Sequence, residues 1–100
     1  MKKILLCCAA GMSTSLLVNK MKAEAEKRGI EVEIWAEPLD KAKEEFAKAD
    51  VVLLGPQVKY ALPEAKKIAE ENNINIDVIN MVDYGMMNGA KVLDQALNLL

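Results

Sequence analysis

The sequence predicts an α/β domain: a four-stranded parallel sheet with helices on both faces. Two observations carry this. Short apolar or alternating runs (3–8, 31–36, 51–55, 74–80) are separated by longer stretches with helical periodicity, giving β-α-β-α-β-α-β-α, and that alternation implies parallel strands joined by right-handed crossovers. Second, 52% of the 100 residues are apolar, enough for one packed core, so 1–100 reads as a single domain with no linker or internal repeat beyond the βα unit.

Each element has its own warrant. "KILLCC" (3–8) is a short apolar run with glycine soon after it, as in a buried strand. "STSLLVNKMKAEAEKR" (13–28) places Leu17, Val18, Met21 and Ala25 on one stripe, with Ser13 as candidate N-cap and Gly29 as the residue that ends the helix. "EVEIWA" (31–36) alternates charged and apolar residues, which suits an edge strand closed by Pro38. "LDKAKEEFAK" (39–48) is a second helix presenting Leu39, Ala42, Phe46 and Ala49. "VVLLG" (51–55) is wholly apolar and therefore central. A third helix runs from Val58 or Leu62 to Asn72, with Pro63 tolerated only in its first turn. "INIDVIN" (74–80) is the last strand. "MVDYGMMN" follows as a loop or short helical turn. "GAKVLDQALNLL" (89–100) is a helix bearing Val92, Leu93, Ala96, Leu97 and Leu100. An edge-like second strand beside central first and third strands predicts the order 2-1-3-4. In such sheets ligands sit beyond the carboxyl ends of the strands, where the order reverses. Here that is between the segments 7–14 and 55–60.

Composition narrows the chemistry. The net charge of −2, with Lys and Glu interspersed, argues against a nucleic-acid partner. Histidine is absent, which removes His-based metal sites and Ser-His-Asp or Cys-His catalysis on this chain; no metal or cofactor is expected. The two cysteines, Cys7 and Cys8, are neighbours, so a disulfide framework and a four-thiolate zinc site are both ruled out. No apolar stretch approaches the roughly 20 residues that span a bilayer. "MKKILLCCAAG" has a basic pair and a short apolar segment like a signal peptide. Removing it would delete the best strand and the glycine-bearing loop, so it is read as part of the fold and the expected location is cytoplasmic.

The chemistry concentrates in "CCAAGMSTS". Ala9, Ala10 and Gly11 let the backbone turn closely around a ligand. Their N–H groups, at the start of a helix, favour an anion. Met12 continues the loop, and Ser13, Thr14 and Ser15 add hydroxyl donors. A thiol at a helix N-terminus has its thiolate stabilised, so Cys8 suits attack on phosphorus and retention of the product as phosphocysteine. Strand alternation points Cys7 the other way, into the core, as a small buried hydrophobe. Low-molecular-weight tyrosine phosphatases carry a similar cysteine loop on a similar sheet, with an Arg six residues after the Cys. Thr14 stands there instead, and Arg28 is the only arginine in the chain. Without that bidentate clamp the loop reads as one that carries a phosphoryl group and passes it on. A cysteine phosphatase, a non-catalytic anion-sensing domain and a redox role for the thiols remain as alternatives, the last weakened by the lack of C-x-x-C.

Three segments, "CAAGMSTSLLVNKM" (8–21), "ADVVLLGPQVKY" (49–60) and "VINMVDYGMMNGAKVL" (78–93), closely resemble the enzyme IIB component of the lactose/cellobiose/chitobiose-type sugar phosphotransferase system. The resemblance covers essentially the whole chain. It implies a cytoplasmic phosphocarrier that takes a phosphoryl group from phosphohistidine on enzyme IIA and gives it to a sugar, a β-linked disaccharide such as cellobiose, chitobiose or lactose, held by the membrane permease, enzyme IIC. The family's phosphorylated cysteine maps to Cys8 and its phosphate cradle to residues 9–15. The missing imidazole then belongs to the donor. Asn80 is a departure, since the family often has Asp after "VI". Both partners must reach one sulfur, which makes Met12, Tyr84, Met86 and Met87 candidates for an apolar docking face. Gln57, Tyr60 and Asp83 are candidates for the site border.

Overall fold

The computed structural model describes residues 1–9 and 12–100, the side chains of Met12 and Ser13 excepted. The strands are β1 (Lys2–Cys8), β2 (Val32–Pro38), β3 (Val51–Leu54) and β4 (Asn75–Val78). All pair in parallel, in the order β2-β1-β3-β4. The predicted fold class and strand order therefore hold. β1 is the hub: Ile4–Cys7 pair with Val51–Leu54 on one side, and all of β1 pairs with Val32–Pro38 on the other.

Among the described residues five helices surround the sheet: α1 (Met12–Lys27), α2 (Leu39–Glu45), α3 (Leu62–Glu71), α4 (Met81–Gly85) and α5 (Gly89–Leu99). The pleat divides the core into two layers. Ile4, Leu6, Ile34, Val51 and Leu53 pack on the α1 stripe of Leu17, Val18, Met21 and Ala25 and on Val92, Leu93 and Ala96 of α5. Leu5, Cys7, Val52 and Leu54 face Ala42 and Phe46 on the α2 side and Ala65 and Ala69 of α3.

Several boundaries differ from expectation. α1 begins at Met12, so Ser13 is a helical residue and not the N-cap. β2 runs on to Pro38, which an edge strand tolerates because the donor that proline lacks is not needed by a second neighbour. The second helix tightens into a 3₁₀ turn at Phe46–Lys48. Another 3₁₀ segment, Pro56–Ala61, precedes α3, which starts at Leu62, the later of the two expected points, with Pro63 in its first turn. β4 stops at Val78 because Asn80 turns to cap α4. Leu100, expected on the buried face of the last helix, is exposed.

The helix ends follow local rules. Gly29 ends α1 at φ +70°, with Ile30 N–H on Ala25 O and Gly29 N–H on Glu26 O, a Schellman closure. Asn73 closes α3 the same way at φ +56°. Met87 closes α4 at φ +52°, with Asn88 N–H on Asp83 O, and Asn88 then accepts from Lys91 N–H as the cap of α5.

Candidate functional site

Cys8 is the last residue of β1, opposite Pro38 at the carboxyl end of the sheet. β1 sends its chain to β2 on one side, while β3 returns on the other, so this is the point where strand order reverses. Beyond Cys8 come an exposed bend at Ala9 and then the N-terminus of the 16-residue α1. Of the residues expected to cradle an anion, Ala10, Gly11 and the side chains of Met12 and Ser13 lie outside the described residues. Thr14 is fully buried and Ser15 exposed.

Neighbouring in sequence, the two thiols differ in environment. Both are buried. Cys7 lies in the α2/α3 layer among Leu5, Val52 and Leu54. Burial, with the charge of Cys8 as a smaller contribution, pushes its thiol from 9.0 up to about 12, so it stays protonated. Alternation puts Cys8 on the opposite face, the side of Ile4 and Leu6. Its thiol donates to the Glu37 carbonyl oxygen at 3.7 Å.

Two of the expected border or docking residues, Gln57 and Tyr84, meet Thr14 of the expected phosphate loop over the end of the sheet. The Tyr84 hydroxyl accepts from Gln57 Nε2 at 3.0 Å and lies 3.4 Å from Thr14 Oγ1. This ties together the first turn of α1, the segment after β3 and α4. Gly55 explains the "LLGPQ" turn: its N–H donates to Cys7 O, and a Cβ there would stand 2.6 Å from Gln57 Oε1. Glycine thus clears the space in which the Gln57 amide reaches back toward Tyr84.

α4 owes its position to two amides. Asn80 Oδ1 accepts from the N–H groups of Val82 and Asp83, an N-cap that Asp would serve equally, which explains how Asn is accommodated there. Gln95 of α5 receives Asn80 N–H on Oε1 and donates from Nε2 to Val78 O and Asp77, fastening the end of β4 to α5. The sequence reading missed both roles. An Asn immediately before a short helical turn was the available signal for the first.

Asp83 is not gathered with the others. It lines a polar groove between α4 and α5 with Asn80, Lys91, Asp94, Gln95 and Asn98. Tyr60 is 74% exposed on the 3₁₀ segment. Of the methionines considered for docking, Met86 is exposed, whereas Met87 packs on the α1/α5 layer. Arg28 sits at the far end of α1, about 21 Å of helix from Thr14. There it binds Glu24 at 2.7 Å and Asp94 at 2.6 Å, which raises its already high pKa. Among the described residues no group of three or more His, Cys, Asp or Glu is placed to hold a metal ion, and no helix is long and apolar enough to cross a membrane.

Comparison with known proteins adds the family. The family described as "PTS system, Lactose/Cellobiose specific IIB subunit" matches residues 3–95. The chain is 55% identical, over all of its length and 97% of the relative's, to the oligo-beta-mannoside-specific EIIB component of Bacillus subtilis. It is 49% identical to both the galactose-specific and the cellobiose-specific EIIB components of Lactococcus lactis, over 99% of this chain and 96% of each relative. The cellobiose-specific IIB solution structure from Borrelia burgdorferi superposes with a TM-score of 0.81 at 41% identity, covering 98% of this chain and 90% of that one. The lactose-specific IIB domain of Streptococcus pneumoniae shares the fold, with a TM-score of 0.88 at 23% identity over 98% and 96% of the two chains. This chain belongs to the lactose/cellobiose-type IIB family, the phosphotransferase components of the sugar phosphotransferase system.

Proposed function

We propose that the chain is a cytoplasmic phosphocarrier in which Cys8 accepts a phosphoryl group from phosphohistidine on enzyme IIA. Cys8 then passes it to a sugar, a β-linked disaccharide, held by enzyme IIC. The observation that carries this is the placement of Cys8 at the carboxyl end of the central strand, one short segment before the N-terminus of α1. In the first step the S–P bond forms as the N–P bond of the donor breaks, and the thiol proton ends on the departing imidazole. In the second the S–P bond breaks as the sugar oxygen takes the phosphorus, its proton leaving to a base on the permease. Backbone N–H groups of the 9–15 segment and its hydroxyls hold the transferring oxygens, so positioning and electrostatics supply the acceleration. Cys8 is buried, and its sulfur must turn from the Glu37 carbonyl before it attacks.

A carrier fits better than a phosphatase. Thr14 holds the position of the phosphatase arginine, Arg28 is engaged at the opposite end of α1, and Asp83 faces the α4/α5 groove. Relatives at 49–55% identity bear three different sugar names, so choice of sugar falls to the permease. The test is incubation with phosphorylated enzyme IIA followed by intact-mass measurement. A stable gain of one phosphoryl group, lost in Cys8→Ala and kept in Cys7→Ala, is expected. Rapid release to water would indicate a phosphatase, and phosphate persisting on Cys8→Ala would overturn the assignment.

A further inference from the structure

β2 is an outer strand of the sheet and pairs only with β1. Its free side is directional. Cys7 O accepts from Gly55 N–H on the β3 side, so Leu6 turns its own N–H and C=O toward β2. In the parallel register Leu6↔Ala36, those groups bond to the flanking residues Trp35 and Glu37. Ile34 and Ala36 therefore point their N–H and C=O groups away from the sheet, where no strand answers them among the described residues. Pro38 ends this row of donors, since it has no N–H to offer.

A groove of about 220 Å³ runs beside that row, between β2 and α1. Its α1 wall is Ser15, Asn19 and Lys22, one helical face at i, i+4 and i+7, and the buried Val18 and Ile34 also line it. Among the described residues Lys22 is the one charged side chain lining the groove, and it makes no ion pair. One end of the groove, at Ser15 and Ala36, lies close to the transfer site, because Pro38 is the register partner of Cys8.

We propose that this groove takes an extended acidic segment of another protein, added to the sheet as a new strand outside β2. Its main chain bonds to Ile34 and Ala36, and a carboxylate on its α1 side meets Lys22. A second copy of this chain supplies no such carboxylate. The β2 residues on the α1 side, Val32, Ile34 and Ala36, are apolar, and pairing two β2 strands antiparallel would set a second Lys22 on the same face.

The probe is a capped heptapeptide alternating valine and aspartate, titrated to millimolar concentration into isotope-labelled protein and followed by amide NMR. Saturable shifts should centre on Ile34 and Ala36, with slowed hydrogen exchange of their N–H groups. The same peptide with lysine for aspartate should bind at least about fivefold more weakly, and Lys22→Glu should lower affinity for the aspartate peptide about fivefold, the upper range for an exposed ion pair. Ala36→Pro removes only an outward donor and should abolish binding with the remaining spectrum native. Should that variant fail to fold, Lys22→Glu, on the exposed face of α1, decides alone. No saturable binding, shifts centred elsewhere, equal affinity for the two peptides, or an unchanged affinity in Lys22→Glu would each overturn the proposal. The groove is independent of the chemistry assigned to Cys8, so its failure leaves the carrier reading standing.

Discussion

The two layers on either side of the sheet are built from similar apolar residues but serve different ends. The α2/α3 layer holds Cys7, Phe46 and Ala42, and α2 gives way to a 3₁₀ turn after seven residues. The α1/α5 layer has the two long amphipathic helices, and it reaches the carboxyl end of the sheet, where Thr14, Gln57 and Tyr84 meet. One layer supplies buried area, while the other must also hold a loop in place. Cys7 and Cys8 mark the division: adjacent residues, sent to opposite faces by the pleat, one packed in a scaffold and the other at the carboxyl end of the strand against the Glu37 carbonyl.

That division can be broken from the scaffold side first. Phe46 is fully buried, and Phe46→Ala should cost about 3–5 kcal/mol, read as a lower urea midpoint. Phosphate uptake per folded molecule should stay at the wild-type value. A matching loss of uptake would show that the layers are not separable.

On the other layer, helix contact is set by Gly89. A Cβ there would lie 2.7 Å from the Lys20 carbonyl carbon, so Gly89→Ala must push α5 away from α1. The expected loss is about 1–3 kcal/mol in chemical denaturation. Gly85→Ala meets nothing within 4 Å and should be neutral or stabilising by up to about 1 kcal/mol.

The cysteine contrast sharpens with pH. The folded-state value of Cys7 is raised, so the unfolded chain loses that proton first as pH rises. The associated stability is complete below about pH 9 and is lost from there toward about 12, the folded-state value. Wild type should fall by about 1.4 kcal/mol more than Cys7→Ala between pH 8 and pH 10 in urea titrations. Equal slopes would place the thiol in a wetter setting than the α2/α3 layer.

The smallest effect concerns the support of Tyr84. Asn80→Ala should cost about 1 kcal/mol, seen as a shift of the thermal midpoint, and Asn80→Asp should restore it. A null effect of Asn80→Ala would mean that α4 is held by Gln95 alone.

Much of this was legible in the residues because it is local. Apolar runs, the Leu17–Val18–Met21–Ala25 stripe and Gly29 fix strands, helix face and helix end within a few positions, and the edge-like 31–36 beside the apolar 3–8 and 51–55 gives the strand order. The segment from Asn80 to Asn88 was less legible. Its short helix exists because two asparagines cap consecutive helices and Met87 takes a left-handed turn between them, which is not what composition alone suggests. The 3₁₀ turn at Phe46 and the exposure of Leu100 likewise depend on where the neighbouring layer ends. Thr14, Gln57 and Tyr84 were each expected near the site, but the hydrogen bonds that join them were out of reach, since they depend on how the crossovers bring three distant segments together.

The Thr14–Tyr84 contact closes a span of 70 residues. Nothing early in synthesis can rehearse it: α1 and the strand before it can form while the chain is still emerging, but the tyrosine arrives only with the last fifth. The contact is therefore made late, once α4 has taken its place, and a nascent or truncated chain that folds only as far as β4 lacks it.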